Sequence, residues 1–156
     1  MMQIIIISVG KIKERYWQEA INEYIKRLRP YSKIKFIEIA EEKFRRVTER
    51  RRITTKEGKK ILKVIPQEAM VIALDKVGLS FTSEKWAEKL REWSQFGQKI
   101  VFIIGGPLGL SSEVLNKAQI TVSLSQMTFT HQMSRVILLE QIYRGLTILR
   151  GVVYHY

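Results

Sequence analysis

One stretch of the sequence decides the fold class: Val101-Phe102-Ile103-Ile104-Gly105-Gly106-Pro107-Leu108-Gly109-Leu110-Ser111-Ser112. An uninterrupted apolar run ends in a glycine-rich turn, and a serine then offers a cap for the start of a helix. A strand without polar alternation is typical of a parallel sheet that is covered on both faces. Such sheets bind ligands at the carboxyl ends of their strands, so this turn is a candidate ligand site. A purely structural turn fits the stretch equally well.

The spacing of the glycines argues against two common ligands. The turn matches neither G-x-G-x-x-G nor the phosphate loop that ends in Gly-Lys-Ser/Thr, so neither a dinucleotide nor a nucleoside triphosphate is indicated. Glycine still lets the backbone approach a ligand closely and adopt positive φ. The sequence therefore leaves the ligand of the turn open at this point.

Apolar runs alternate with helical patterns along the rest of the chain. Strands are predicted at 3–9, 33–40, 69–74, 99–104 and 120–124. Helices are predicted at 12–28, 44–64, from Thr82 or Ser83 to Phe96, from Ser111 or Ser112 onward, and at 131–149. This alternation predicts an α/β fold, a mainly parallel sheet flanked by helices, in a single domain over residues 1–156.

Charge is distributed unevenly along the chain. Of its 27 basic residues 18 fall in residues 1–63, against 8 of its 15 acidic ones, and the whole chain carries a net charge of +12. A concentrated positive field attracts polyanions, so the asymmetry favours a nucleic acid partner. A solvated surface remains the alternative for any single run such as Arg50-Arg51-Arg52. A membrane surface is the weaker alternative, because no basic segment carries a clean apolar stripe.

The composition excludes several classes of protein. There is no cysteine, hence no disulfide and no thiolate ligand, and two histidines do not suggest a zinc site, so no metal is expected. No apolar run approaches the roughly 18 residues that span a bilayer. The first residues lack the pattern of a signal peptide and are predicted to form a buried strand. These features are compatible with a cytoplasmic protein.

The last predicted helix is apolar around nearly its whole circumference. Only a narrow strip through Ser134, Gln141 and Gly145 lacks large apolar groups. Such a helix must be buried on more than one side, which predicts that it packs on its own sheet and on a partner subunit. A central helix in a monomer is the alternative.

A second segment precedes this helix and mixes small hydroxyl residues with apolar ones: Leu124-Ser125-Gln126-Met127-Thr128-Phe129-Thr130. A loop of this kind can offer backbone groups to an adenosine while its side chains line an apolar slot. The alternative is a helix start that is capped by Thr130 or another hydroxyl residue. The spacing alone does not decide between these interpretations.

The two motifs are highly specific in combination. They are Ile-Gly-Gly-Pro-Leu-Gly-Leu at 104–110 and L-S-x-M-T-F-x-H-x-x-x-R-V-x-L-L-E-Q-I-Y-R at 124–144. The opening Val9-Gly10-Lys11-Ile12-Lys13-Glu14 and the terminal Tyr154-His155 accompany them. Over essentially its whole length, the chain resembles the RlmH family, the ribosomal large-subunit pseudouridine methyltransferases of the SPOUT class.

The resemblance implies a fold, a cofactor and a partner. It implies a deep trefoil knot near the carboxyl end of the parallel sheet, and a homodimer that is joined through helices of the knot region. S-adenosylmethionine would lie in the knot. By matching position, its contacts would be Leu74, Gly105, Leu124, Ser125, Gln126, Met127, Thr128 and Phe129.

The resemblance also implies the reaction, which is methylation at N3 of a pseudouridine in 23S rRNA of the assembled ribosome. Placement of the two reactants supplies most of the advantage in such a transfer. Three residues are candidates for the chemistry. His155 could take the proton or orient the ring, Tyr154 could stack on the base, and Arg135 could stabilise negative charge. A frayed terminal residue is the alternative for His155, and a structural ion pair or dimer contact is the alternative for Arg135.

The carboxyl-terminal tail departs from the family pattern. The family usually has proline before Tyr-His and a basic residue after it, whereas this chain reads Val153-Tyr154-His155-Tyr156. Loss of the proline frees φ at Val153 and makes the tail less preorganised. A dimeric RNA-binding or ribosome-associated factor with weak catalysis is therefore a second hypothesis. A tRNA methyltransferase on the same fold is a third.

Overall fold

Five parallel strands form one sheet in the computed structural model, which describes residues 1–96 and 99–154. The strands are β1 (Met2–Val9), β2 (Ser32–Ile39), β3 (Ala69–Leu79), β4 (Lys99–Ile104) and β5 (Ile120–Val122). They lie in the order β2-β1-β4-β3-β5. The predicted parallel α/β architecture is confirmed.

Helices cover both faces of this sheet. They are α1 (Arg15–Leu28), α2 (Arg50–Val64), α3 (Ser83–Phe96), α4 (Ser112–Lys117) and α5 (His131–Leu149). Helices α1, α3 and α5 pack together on one face, called here the aromatic face. Helices α2 and α4 pack on the other, called here the aliphatic face. Thr82, Ser111 and Thr130 cap the starts of α3, α4 and α5, as the sequence predicts.

Side chains of the central strands alternate between two cores. Phe102 and Ile104 join the core of the aromatic face, while Val101 and Ile103 join that of the aliphatic face. Both sets are buried, which explains why β4 lacks polar alternation in the sequence.

The helix predicted at 44–64 begins only at Arg50, so the prediction for 44–49 is wrong. A short 3₁₀ turn, Val47–Glu49, precedes α2. The Glu49 carboxylate accepts hydrogen bonds from the backbone N–H groups of Arg45 and Arg46, at 2.8 and 3.1 Å, and also pairs with Arg52. These bonds hold the preceding loop outside the helix and lower the pKa of Glu49 to about 2.

Other boundaries shift by a few residues. Helix α1 begins at Arg15 rather than at residue 12, because Gly10 adopts φ +98° and the backbone N–H of Ile12 donates to Glu38 across the loop. Strand β2 spans Ser32–Ile39, one residue earlier than predicted, and β5 ends at Val122. Strand β3 continues past Leu74 to Leu79.

The end of β3 wraps closely around β5. Val122 pairs with Leu74 and again with Leu79, with a register irregularity between them, and Ser123 N donates to Leu79 O at 2.8 Å. A Cβ on Gly78 would lie 2.7 Å from the backbone of Thr121 and Val122, so only glycine allows the approach. This excursion is consistent with the predicted knot, which stays a prediction.

Helix α5 contacts helices on the aromatic face along its length. Leu138, Leu139, Ile142 and Leu146 are buried against the core of that face. The small-residue strip lies at a contact, since a Cβ on Gly145 would be 2.6 Å from Leu90 Cδ1. Helix α5 is therefore buried at its smallest residue, Gly145, as well as at its large apolar residues.

Candidate cofactor pocket and its surroundings

Three chain segments meet at the carboxyl edge of the sheet. Leu74 pairs with Ile104 on one side and with Val122 on the other. Leu74 of β3 is therefore at the level of the ends of β4 and β5. Gly105 follows β4 directly, and Leu124 lies two residues after β5. The structure thus brings Leu74, Gly105 and the start of the 124–129 loop together, although they are far apart in sequence.

The glycine turn is folded tightly on itself. Gly109 N donates to Gly106 O at 3.0 Å, and Gly109 adopts φ +85°. A Cβ on Gly105 would lie 2.8 Å from the backbone carbon of Gly109. The turn therefore requires glycine at 105 for close approach and at 109 for its conformation, so the structural interpretation of the motif holds whatever ligand it binds.

The loop after β5 carries few internal hydrogen bonds. Ser125 Oγ accepts from Met127 N at 3.0 Å, and Met127 is 74% exposed. Thr130 then caps α5 by accepting from Met133 N at 3.3 Å. Residues 124–129 therefore form a loop and Thr130 caps the helix, while the binding role of the loop stays a prediction.

The residues of this corner fit the cofactor that the resemblance implies. Leu74, Leu124 and Phe129 are half-buried and offer apolar surface for an adenine ring. Ser123 Oγ is buried and has no hydrogen-bond partner among the described residues, so a polar group remains free beside them. Apolar walls with a few unpaired polar groups suit a nucleoside.

Arg135 is buried in an ion pair at the ends of β1 and β2. It is 1% exposed, and its Nη1 donates to Glu38 Oε2 at 2.8 Å while its Nη2 donates to Gly10 O at 2.6 Å. The structural ion pair, the alternative for Arg135, is what the geometry contains. A direct catalytic role for Arg135 stays a prediction.

His131 completes this cluster. Its Nδ1 lies 3.0 Å from Arg135 Nη2, and burial together with the Arg135 charge lowers the pKa of the imidazole. Because Arg135 can only donate, Nδ1 accepts and the proton of the neutral ring is on Nε2. A Cβ on Gly10 would be 2.9 Å from the His131 ring, so the Val9-Gly10 motif and the His131–Arg135 motif meet here.

Tyr154 folds back against the middle of α5. Gly151, with φ +64°, ends the helix and turns the chain. The Tyr154 hydroxyl then donates to Glu140 at 3.2 Å, and the Arg144 guanidinium lies 4.9 Å from the centre of the Tyr154 ring. Burial, followed by contacts with Tyr24 and Glu140, raises the pKa of Tyr154 to about 12, so the phenol is a hydrogen-bond donor at neutral pH.

Two of the predicted catalytic residues, Tyr154 and Arg135, lie at different places on α5. Tyr154 contacts Glu140, which is ten residues or about 15 Å along α5 from the Thr130 cap. Arg135 lies between the two places and contacts neither Tyr154 nor the 124–129 loop in the hydrogen bonds of the described residues. His155 lies outside the described residues.

Comparison with known proteins decides the family. The model of the family described as "Predicted SPOUT methyltransferase" matches residues 2–155. The chain belongs to the SPOUT methyltransferase family. It is 48% identical to the ribosomal RNA large subunit methyltransferase H of Carboxydothermus hydrogenoformans and 49% identical to that of Alkaliphilus oremlandii, each over 99% of both chains.

A solved structure supports the SPOUT fold. The crystal structure of a probable rRNA-methyltransferase from Porphyromonas gingivalis superposes with a TM-score of 0.54 at 17% identity, covering 96% of this chain and 70% of that one. At this identity the likeness concerns the fold alone. In the described part of the SPOUT chain, no helix is both long and apolar enough to cross a membrane.

A basic surface adjoins the glycine turn of this SPOUT protein. Arg50 Nη2 lies 3.5 Å from the position that a Cβ of Gly109 would take. Arg50 and Arg51 are exposed, and neither forms an ion pair with a carboxylate of the described residues. Arg52 differs, because it pairs with Glu49. Within the run Arg50-Arg51-Arg52, therefore, one arginine is held in a described ion pair and the other two are not.

Sequence reasoning missed three polar residues at this edge of the sheet. Glu38, Glu57 and His131 all lie near the ends of β1 and β4, through contacts with Arg135, Gly106 and Gly10. His131 stood in the quoted motif but received no role. No sequence pattern marked Glu38 or Glu57 as a functional residue. The residues around each of them fit an ordinary solvated carboxylate.

Proposed function

We propose that this SPOUT protein methylates large-subunit rRNA at N3 of a pseudouridine in the assembled ribosome, with S-adenosylmethionine as methyl donor. The observation that carries the proposal is the convergence of Leu74, Gly105 and the 124–129 loop at one edge of the sheet. The relatives that are 48 and 49% identical over their full lengths are named as methyltransferases of this rRNA. A protein with this substrate works in the cytoplasm, where ribosomes are.

Eight residues that the resemblance names would hold the cofactor. Leu74, Leu124 and Phe129 would offer apolar surface to the adenine, while Gly105 and the backbone at Ser125, Gln126, Met127 and Thr128 would face the polar groups. The cofactor supplies a methyl group on a sulfonium, which is already an activated electrophile. The protein has to hold the target nitrogen in line with it and exclude water.

We propose that the active unit is a homodimer joined along α5. Met133 is 39% exposed, and Ile137 belongs to neither core cluster of the described residues. One face of α5 therefore keeps apolar surface outside both core clusters of the described residues. The separation of about 15 Å along α5 between Thr130 and Glu140, which Tyr154 contacts, also favours a dimer, because the tail of one subunit can approach the pocket of the other. Tyr154 and His155 would act there on the target base.

The basic surface supplies contacts to rRNA phosphates. Arg50 lies beside the glycine turn and the exposed Arg51 follows it on α2, while Arg45 and Arg46 belong to the loop that Glu49 holds. Their guanidinium groups suit phosphate oxygens, and they add a sequence-independent attraction that falls with salt. This surface positions the ribosome while the pocket selects the base.

The test is single-turnover methylation of purified, undermethylated ribosomes, with calorimetry of S-adenosylmethionine and S-adenosylhomocysteine binding alongside. We expect methyl incorporation into 23S rRNA at N3 of one pseudouridine, and loss of that incorporation in His155→Ala with cofactor affinity retained. Binding of ribosomes without transfer to any RNA would favour the ribosome-associated factor. Transfer to tRNA alone would favour the third hypothesis. Absence of cofactor binding by the folded dimer would exclude all methyltransferase readings.

The basic surface is tested by the salt dependence of ribosome binding. Replacing Arg50 and Arg51 with Gln should lower the slope of log affinity against log salt by about one to two, since each lost phosphate contact lowers it by about 0.7 to 0.9. Arg52→Gln is the matched control, because that arginine is already paired with Glu49. An equal change of the slope in both variants would indicate that these arginines belong to an ordinary solvated surface.

A further inference from the structure

His131 lies at the carboxyl edge of the sheet, and the proposed function leaves it without a role. It is the first residue of α5, so it follows the 124–130 segment directly. Its ring packs on Gly10, whose Cβ would lie 2.9 Å from both Cε1 and Nε2 of the imidazole. Strands β1 and β4 pair directly, about 4.8 Å apart, and in their register Gly10 is level with Gly106. The ring is therefore close to the glycine turn as well as to the loop that would hold the cofactor.

The Nδ1 side of the ring is fixed by a buried network. Nδ1 lies 3.0 Å from Nη2 of Arg135, and a guanidinium can only donate, so Nδ1 accepts and the proton of the neutral ring is on Nε2. Arg135 is itself held, because it also donates to the carbonyl oxygen of Gly10 at 2.6 Å and to Glu38 Oε2 at 2.8 Å. One tautomer and one orientation of the His131 ring therefore follow from contacts with β1, β2 and α5.

The Nε2 side of the ring is open. Nε2 has no hydrogen-bond partner among the described residues, since the one hydrogen bond of the ring is at Nδ1. Nε2 is also not one of the buried atoms that lack a partner, so solvent reaches it. The residue as a whole is half-buried. His131 therefore presents a single N–H donor, on a ring that is fixed at its other nitrogen, to a molecule that binds at this edge.

The charges around His131 keep the ring neutral. Burial, followed by the charge of Arg135 on α5, lowers the pKa of the imidazole, while the carboxylates of Glu41, Glu14 and Glu38 act in the opposite direction. The amino terminus of α5 also disfavours a positive charge on its first residue. An ordinary histidine has a pKa of about 6.5, so this imidazole is neutral at pH 7. Its Nε2–H then donates a hydrogen bond and keeps its proton.

Methyl transfer to an imide nitrogen benefits from such a donor. As the nitrogen loses its proton, negative charge develops on the two carbonyl oxygens that flank it. A preorganised N–H that points at one of these oxygens stabilises that charge. A neutral imidazole at a helix amino terminus is one of the ways in which enzymes polarise a carbonyl group. The open N–H of His131 is a group of this kind.

We propose that His131 Nε2–H donates a hydrogen bond to a carbonyl oxygen beside the target nitrogen of the base, and that Arg135 and Glu38 position the ring for this contact. The inference rests on the proposed function, because it assigns a contact to the substrate of that reaction. His131 transfers no proton, so the proton acceptor is a different group, such as His155. Arg135 is a positioning residue, which gives this buried cation a role without any contact to the base.

The first test is spectroscopic and needs no substrate. The chain has two histidines, so nitrogen-15 NMR of the histidine-labelled protein gives two imidazole patterns, and His155→Ala assigns them. We expect His131 to show one neutral tautomer with the proton on Nε2. Arg135→Lys should keep that tautomer, because an ammonium group can only donate, whereas Arg135→Gln should show both tautomers. A wild-type proton on Nδ1, or an unchanged tautomer in Arg135→Gln, would overturn the positioning.

The second test compares single-turnover methylation of ribosomes by wild type, His131→Phe and His131→Gln. Phenylalanine keeps a planar ring but has no N–H, so the plateau rate should fall about 100-fold or more, as when one donor to a developing oxyanion is lost. Glutamine keeps an amide N–H, so its rate should be about tenfold higher than that of His131→Phe. Calorimetric affinity for S-adenosylmethionine should stay within about threefold of wild type in both variants, since the contact is made to the base.

Each outcome of this comparison bears on one claim. A His131→Phe rate close to that of wild type overturns the contact with the base and leaves the proposed function standing. Equal rates of the two variants, with cofactor affinity lost in both, assign His131 a structural role and also overturn the inference. Failure of wild type to methylate ribosomes overturns the proposed function and this contact together. If His131→Phe does not fold, His131→Ala replaces it with the same expected loss.

Discussion

The two faces of the sheet differ in the side chains that cover them. On the aromatic face, Trp86, Trp93 and Phe102 pack with ring centres 5.5 to 6.5 Å apart. On the aliphatic face, β4 packs with aliphatic residues of that core, and a buried carboxylate, Glu57, lies next to Gly106. The first face gains dispersion and apolar burial, while the second contains a polar atom whose burial costs free energy.

This difference determines what each face contributes to stability. Large interlocked rings stabilise the fold strongly and leave little room for change. An unsatisfied carboxylate does not stabilise a fold, so its presence needs a reason outside packing. We therefore expect substitutions on the aromatic face to lower the free energy of unfolding most, and those of Glu57 to change how that free energy depends on pH.

The largest effect on stability is expected for Phe102→Ala. Phe102 is fully buried between Trp86 and Trp93, so its truncation should lower the free energy of unfolding by about 3–5 kcal/mol. Val101→Ala, one residue earlier on the opposite face, should cost about 2 kcal/mol, because a smaller group is removed. Urea denaturation measures both values. Equal losses would contradict the contrast between the faces.

A smaller loss is expected for Gly145→Ala in α5. Alanine gains about 1 kcal/mol in helix propensity, but its Cβ would lie 2.6 Å from Leu90 Cδ1 and 3.1 Å from the Trp86 ring. Overpacking costs about 1–3 kcal/mol, so a net loss of about 1 kcal/mol is expected in urea denaturation. Ser134→Ala on the same helix is the control. A Gly145→Ala protein that is more stable than wild type would show that α3 and α5 leave room for a methyl group at Gly145.

Loss of the α5 cap should lower the free energy of unfolding by about as much as Gly145→Ala does. It should also weaken cofactor binding. Thr130→Ala removes the acceptor for Met133 N and should lower the free energy of unfolding by about 1 kcal/mol. Thr82→Ala removes the equivalent cap of α3, so it should cost the same. Only Thr130→Ala should weaken S-adenosylmethionine binding in calorimetry, because Thr130 adjoins the 124–129 loop. Equal affinities of the two variants for S-adenosylmethionine would show that the 124–129 loop does not bind the cofactor.

The smallest effect concerns the pH dependence of stability in Glu57→Gln. The pKa of Glu57 is raised in the folded state, so its contribution to stability is present below the unfolded value and is lost as pH rises through the folded value. Glutamine does not titrate. The stability of Glu57→Gln relative to wild type should therefore increase between pH 4 and pH 7, as followed by thermal unfolding at each pH. A relative stability that decreases over this range would mean that the Glu57 charge stabilises the fold.

Local patterns predicted most of the elements, since periodicity and capping depend on neighbours in sequence. The apolar run of β4 and the caps Thr82, Ser111 and Thr130 are of this kind. The start of α2 was not predictable, because the Glu49 carboxylate binds two backbone N–H groups and this choice competes with helix formation. The pocket residues came from a resemblance, and the structure explains only why they are neighbours.

The sequence by itself determined the parallel α/β class, the basic amino-terminal half and the family, because each depends on residue type and order along the chain. Only the tertiary structure decided that Arg135 is buried with Glu38, that Tyr154 turns back onto Glu140, and that Glu57 has an unused oxygen beside Gly106. The physical reason is that hydrogen bonding and desolvation depend on which groups meet in space. Glu57 and Gly106 are 49 residues apart in sequence, and no local pattern records their contact.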